Sequence, residues 1–221
     1  MTSTPFPGSP KLTRCGLVQV DPTTGAVLRV IALQYNPDTL TRTLAIQGIG
    51  DNGARTEALR LKGPASETIK FEAELDATDQ FERPDVKANA DTLQYGLHPR
   101  LAALESLVNP SVSALIDQTT LAASGVLEIA PAEAPLLLFV WSAERVLPVR
   151  ITDCAITEEA FDPKLNPFRV KVSMTLRVLN IDDLPAAHRG STLFLSYLQR
   201  KEYLATKAPT ASLEQLGIGG I

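Results

Sequence analysis

The chain contains few of the residue types that mark metal sites or disulfide frameworks. Its 221 residues include only two cysteines, Cys15 and Cys154, and two histidines, His98 and His188. Two widely separated cysteines predict reduced thiols rather than a disulfide framework. Neither histidine has another histidine or a cysteine at ligand spacing, which argues against a structural zinc site. We therefore expect no metal and no cofactor.

Long apolar runs and a strong net charge are also missing. The longest apolar run, at about 134–141, is far shorter than the roughly 20 residues that a membrane helix requires. The first ten residues lack the basic start and apolar centre of a secretory signal, so we expect a cytoplasmic protein. The net charge of −4 argues against nucleic acid as the main partner. The sequence thus predicts neither membrane insertion nor nucleic-acid binding.

The clearest positive signal is a long alternating stretch, Phe168–Val178. Apolar residues occupy every second position of this stretch, and polar or charged residues lie between them. This period is typical of a strand with one buried and one wet face, whereas a helix would scatter the apolar residues around its cylinder. The stretch carries no reactive group, so it favours a structural or binding protein over an enzyme.

Other segments extend the same β pattern. Strands are predicted at Leu12–Val20, Ala26–Leu33, Leu40–Ile46, Thr68–Asp76, Leu136–Trp141 and Val146–Ile156, with a weaker one near Gly125–Ile129. Asp21–Gly25 is predicted to form the turn of a hairpin, and Glu158–Pro167 is predicted to form a wide connection.

Two helices interrupt or follow the strands. One begins near His98 with Pro99 in its first turn, and Asn109-Pro110 ends it. The other spans Ser191–Ala208, with Ser191 as its expected cap. The resulting organisation is a flexible arm at 1–11, a β domain at 12–180, and a linker with a helical extension at 181–221.

Motifs for catalysis or cofactor binding are weak. Gly48–Gly53 matches a dinucleotide-binding fingerprint, but too few residues follow it for the crossover helix that the mechanism needs. No Gly-x-Ser-x-Gly elbow is present. The acidic residues at 76–85 and 153–162 are interpreted as solvent-exposed residues at loop ends. The alternative is that paired carboxylates act as the catalytic acids of a glycosidase. Trp141 is interpreted as a core or interface anchor, and no catalytic residue is assigned.

Several stretches together resemble the tube-domain family of contractile injection systems, the phage-tail-like particles of bacteria. Leu33–Pro37 resembles the family's Phe-Gln-Phe-Asn-Pro element, and Ile69–Asp79 is similar to its strand ending in an acidic turn. Pro135–Trp141, Val149–Phe161 and Asn166–Leu179 resemble its later strands and the connection between them. The likeness rests on the order and spacing of these stretches over about 12–179.

The resemblance implies a mainly β fold, a tube-protein-like barrel of two packed antiparallel sheets with one flanking helix, plus the C-terminal helical extension. It implies a baseplate hub or adaptor that forms a six-fold homo-oligomeric ring and contacts tube, spike and baseplate wedge proteins. The extension at 188–221 is too short for the LysM module that many adaptor relatives carry. We therefore expect the helix at Ser191–Ala208 to take over a docking role.

Six residues are the candidate interface on this interpretation. They are Arg169, Lys171 and Arg177 on the outward face of the long strand, and Phe194, Leu198 and Tyr203 on the C-terminal helix. The helix could equally fold back on its own domain. The alternatives for function are a repeating inner-tube subunit or, in a different class, a carbohydrate-binding or hydrolytic β-sandwich protein.

Overall fold

The long alternating stretch lies in the middle of the sheet. The computed structural model describes residues 12–48, 60–123 and 134–219. In it, the stretch forms a strand from Pro167 to Val178, whose alternate apolar side chains are almost completely buried. They are Val170, Val172, Met174, Leu176 and Val178. The predicted division into a buried and a wet face is confirmed.

The described strands form one seven-stranded sheet in which every neighbouring pair is antiparallel. The strands are β1 (Gly16–Val20), β2 (Val27–Ala32), β3 (Leu40–Ala45), β4 (Ser66–Asp76), β5 (Leu136–Ser142), β6 (Arg145–Phe161) and β7 (Pro167–Val178). Their order across the sheet is β2-β1-β5-β6-β7-β4-β3. The protein is thus mainly β, as predicted.

The sheet is strongly curled. Strands β4 and β5 are separated by β7 and β6, so a flat sheet would hold them about 14 Å apart at the usual spacing of about 4.8 Å. Yet the rings of Phe71 on β4 and Phe139 on β5 stack with centroids 5.4 Å apart. The inner faces of β4 and β5 therefore meet across the core.

The barrel of two packed sheets expected from the resemblance is not confirmed, because the described strands belong to one sheet that does not close. Among the described residues, β2 and β3 each pair with one strand only and form its two edges. Curling of one sheet gives a core between facing strands without a second sheet.

Strand β6 is longer than its sequence suggests. It continues through Phe161, so the connection predicted from Glu158 to Pro167 is wrong in its first half. Three register shifts against β7 interrupt the alternation of β6, which hid the strand in the sequence. The true turn is closed by Asp162, which accepts bonds from the backbone N–H groups of Lys164 and Asn166 at 2.7 and 2.9 Å.

Among the described residues, four α-helices lie between β4 and β5, where the sequence indicated one. They are α1 (Thr78–Phe81), α2 (Ala90–Tyr95), α3 (His98–Glu105) and α4 (Val112–Ala123). Helix α3 is the predicted one, with Pro99 in its first turn and Leu101 and Leu104 in the core. Helix α4 was missed because all of its described side chains stay at least partly exposed, so no buried stripe marked it.

Gly96 fixes the corner between α2 and α3 against β7. Its φ is +59°, and a Cβ there would lie 2.5 Å from the carbonyl oxygen of Pro167. The next residue, Leu97, donates its backbone N–H to that same oxygen at 2.8 Å. A glycine is required because both the left-handed conformation and the close approach exclude a side chain.

The C-terminal helix α5 (Arg189–Ala205) begins two residues before its predicted start. His188 caps it, since its Nδ1 accepts the backbone N–H of Gly190 at 3.0 Å. Ser191, the predicted cap, is instead buried and donates its hydroxyl to the carbonyl of Pro185 at 2.9 Å. Three predictions lie wholly or mostly outside the described residues: the whole arm at 1–11, most of the fingerprint at Gly48–Gly53 and the strand near Gly125–Ile129.

Candidate assembly surfaces

The two outer strands of the sheet expose apolar side chains, and no described segment pairs with their outer backbone edges. On β2, Val27, Leu28 and Val30 are each more than half exposed. On the other edge, Leu44 of β3 and Ile46 just beyond it are 53% and 78% exposed. An edge strand with free N–H and C=O groups and apolar side chains is a template for pairing with another chain.

The outer edge of β6 contrasts with these two edges. Strand β6 pairs with β5 only as far as Val149, because the antiparallel β5 begins at Leu136. After Val149, β6 pairs with β7 but has no described neighbour on its other side. This stretch carries Asp153, Glu158 and Glu159, and it contains the three register shifts. Charges and bulges discourage edge-to-edge pairing, so β2 and β3 are the better candidates for assembly.

The charged half of the predicted interface lies on the outer face of β7, as expected. Each cation is paired within its own chain: Arg169 with Asp76 at 3.0 Å, Lys171 with Glu159 at 2.9 Å and Arg177 with Asp183 at 2.7 Å. The bond from Glu159 raises the pKa of Lys171. These side chains help to hold β6, β4 and the segment after β7 onto the strand.

The helical half of the predicted interface divides into buried and exposed residues. Phe194 is only 3% exposed and belongs to the core, and Leu198 packs against that core. Phe194 is therefore not presented to a partner in this structure, because α5 folds back onto the sheet. Tyr203 is about half exposed, with the cationic groups of Arg200 and Lys207 about 5 Å from its ring centre.

A cluster of ionic groups around the buried Glu67 holds α5 against the sheet. This cluster was not predicted from the sequence. Glu67 of β4 is 3% exposed and accepts bonds from Arg42 Nε at 2.6 Å and Lys201 Nζ at 3.2 Å. Tyr197 accepts a bond from Arg42 Nη2 at 3.0 Å, and Lys201 lies over its ring. Burial acts to raise the pKa of Glu67, but the two cations outweigh burial and hold the pKa below its ordinary value. No local pattern signals this cluster, because its members are distant in sequence.

The Leu33–Pro37 element serves as a clamp in the structure. Gln34 donates its Nε2 to the carbonyl of Asp76 at 2.6 Å, and its Oε1 accepts the backbone N–H of Asp76 at 3.2 Å. Arg100 of α3 also donates to Gln34 Oε1, at 2.7 Å. Asn36 accepts the backbone N–H of Cys15 and donates to the carbonyl of Thr13, both at 2.9 Å. The element therefore joins the start of β1, the end of β4 and α3.

The surroundings of the two cysteines and of Trp141 favour structural roles for these residues. Cys15 and Cys154 are both free thiols, and burial raises the pKa of each. A raised pKa keeps a thiol protonated and poorly nucleophilic at neutral pH. Trp141 is half-buried, with its ring 6.1 Å from that of Phe139, which supports its interpretation as a core residue.

Among the described residues, no group of three or more potential metal-ligating side chains occurs. In the same part of the chain, no helix combines the length and the hydropathy that crossing a membrane would demand.

No family model and no curated protein matches the chain. The solved structures that align with it include the tail of an empty GTA particle computed with helical refinement in C6 symmetry. That alignment covers 74% of this chain and 90% of that chain, with an identity of 11% and a TM-score of 0.30.

Proposed function

We propose that this chain is a structural subunit of a contractile injection system, acting as a baseplate hub or tube adaptor rather than as an enzyme. The observation that carries the proposal is the open sheet, whose two outer strands, β2 and β3, both expose apolar side chains. The resemblance of the segments within 12–179 to the tube-domain family supports the same role.

The proposed mechanism is head-to-tail assembly. Two different edges on one subunit allow β2 of one copy to pair with β3 of the next. Contacts between two different surfaces close into a ring when the rotation per subunit divides a full turn. A six-fold ring, as the resemblance implies, would then stand between the inner tube and spike on one side and the baseplate on the other.

Edge variants test the mechanism on the full chain. Leu28→Lys blocks β2 and Leu44→Lys blocks β3, since a lysine on an edge strand discourages pairing. Val86→Lys is the matched control, because Val86 is also exposed but lies in a turn outside the sheet. Mass measurement by light scattering should show rings for the wild type and the control, and monomers for each edge variant.

Mixing the two edge variants distinguishes head-to-tail pairing from symmetric pairing. Each variant keeps one intact edge, so an equal mixture should form dimers and nothing larger. If Leu44→Lys alone still formed dimers, pairing would be between two β2 strands, and the ring mechanism would be wrong.

The role within a particle needs a second measurement. Affinity purification of the tagged protein should bring down tube, spike, sheath and wedge proteins, at about six copies of this chain per particle. Many more copies would favour the repeating inner-tube subunit. Isolation of the chain without any particle protein would argue against the proposal.

A further inference from the structure

A cavity of about 510 Å³ lies where the end of β2 meets α3, α1 and the end of β4. Its polar lining includes Arg14, Gln34, Asp79, Gln80 and Arg100. The volume is within the range of pockets that bind ligands or inserted side chains. The last residues of β2 also line the cavity, so a segment that pairs with this edge strand continues directly into it.

Two arginines and one carboxylate line the cavity, and Arg100 forms no ion pair with that carboxylate or with any other in the described part of the chain. The only hydrogen bond of this side chain goes to the neutral Gln34 Oε1, and no carboxylate lies within 4.0 Å of it among the described residues. Burial lowers the pKa of Arg100, and the charge of Arg14 lowers it further. A carboxylate beside Arg100 would compensate its charge and could bind the guanidinium group in a bidentate manner. A peptide segment meets this requirement, because it can bring a side-chain carboxylate to Arg100.

The chain itself offers a matching acid next to its other edge. Asp38 lies two residues before β3 and is exposed, and within the described residues it forms no hydrogen bond or ion pair. In antiparallel pairing, the residues before one strand lie beyond the end of its partner. If β3 of one copy pairs in this way with β2 of the next, Asp38 lies beyond Ala32, beside the cavity.

We propose that the cavity binds Asp38 of a second copy of this chain, so that Arg100 and Asp38 form an ion pair across each subunit contact. This inference deepens the proposed function and rests on it, because Asp38 reaches the cavity only when β2 and β3 pair between subunits. The ion pair fixes the register of the two strands, which apolar contacts alone leave free to slip.

Charge exchange tests the pair. Arg100→Glu and Asp38→Arg are each expected to raise the protein concentration for half-maximal ring formation at least tenfold. An equal mixture of the two variants should recover rings, because every contact in an alternating ring then joins opposite charges. The double variant should also form rings alone. Arg100→Gln is the neutral variant, and thermal unfolding of each monomer checks that its fold is retained.

The outcomes separate this inference from the proposed function. If the wild type forms rings that depend on Leu28 and Leu44, while both charge variants assemble normally, the ion pair is refuted and head-to-tail pairing stands. If both charge variants fail and their mixture does not recover, the cavity does not bind Asp38, and the inference is again refuted. If the wild type forms no ring, the proposed function itself fails.

Discussion

Gln34 bonds both backbone groups of Asp76, donating to its carbonyl at 2.6 Å and accepting its N–H at 3.2 Å. A single side chain thereby extends the ladder of β4 at its end and holds it next to the segment that follows β2. Since β2 and β4 lie on opposite sides of the sheet order, this contact helps to keep the sheet curled.

The first prediction concerns this clamp. Gln34→Ala removes its bonds to Asp76 and Arg100, so the free energy of unfolding should fall by about 2–3 kcal/mol, at about 1 kcal/mol per bond. Urea denaturation of the monomer measures the change. Gln199→Ala, at an exposed position of α5, is the control and should change it by less than about 0.5 kcal/mol. Equal effects of the two substitutions would show that the clamp contributes nothing.

The second prediction concerns acid stability. Cations hold the pKa of Glu67 below its ordinary value in the folded state. Its ion pairs therefore stabilise the fold at pH values above the pKa of an unfolded glutamate, which is about 4.3. That stabilisation is lost as pH falls through the folded pKa. Glu67→Gln should therefore lower the free energy of unfolding by about 1–3 kcal/mol at pH 7, and its difference from the wild type should shrink below about pH 4.5.

Urea denaturation at several pH values between 3 and 7 measures that difference. Glu72→Gln is the matched control, since Glu72 is exposed on the same strand. A difference that stays constant over the whole range would mean that Glu67 does not titrate as proposed.

The third prediction compares two neighbouring residues of α5. Phe194 is in the core, so Phe194→Ala should destabilise the monomer by about 3–5 kcal/mol. Leu195 is 45% exposed, and Leu195→Ala should have a much smaller effect, below about 1 kcal/mol. Thermal unfolding monitored by circular dichroism gives both values. Similar losses for the two residues would contradict the packing of α5 against the sheet.

The fourth prediction concerns the cations of β7. Arg169 and Lys171 form exposed ion pairs within the chain, and such pairs contribute about 0–1 kcal/mol. Reversing both charges should therefore leave the monomer folded, with a loss of unfolding free energy below about 2 kcal/mol. Any loss of assembly larger than the loss of monomer stability then identifies this face as a subunit or lumen contact. Normal ring formation by the double variant would remove both residues from the interface.

Local patterns in the sequence predicted much of the sheet. The alternation of β7 and of β4 is a property of consecutive residues, and each buried face was identified correctly. The turn at Asp21–Gly25 was predicted from the conformational preferences of Pro22 and Gly25. In the structure Gly25 adopts a φ of +73°, and Asp21 caps the turn. Pro99 marked the start of α3 because a proline costs nothing in the first turn of a helix.

The candidate assembly site was only partly predictable. The cations of β7 were placed correctly on the outer face, but their partners come from other strands and were not visible. Phe194 and Leu198 were assigned to an interface because an amphipathic helix shows which face is apolar, not what covers it. The exposed edge strands were missed altogether, since a strand's position in the sheet order is not encoded in its own residues.

The sequence by itself determined which segments are extended and which side of each strand is apolar, because both follow from interactions between near neighbours in the chain. Only the tertiary structure decided that the described strands join in one curled sheet and that Glu67 contacts Lys201. It also decided that β2 and β3 are left at the edges. These features depend on contacts between distant segments, and the energy of such contacts is set by how the whole sheet closes around its core.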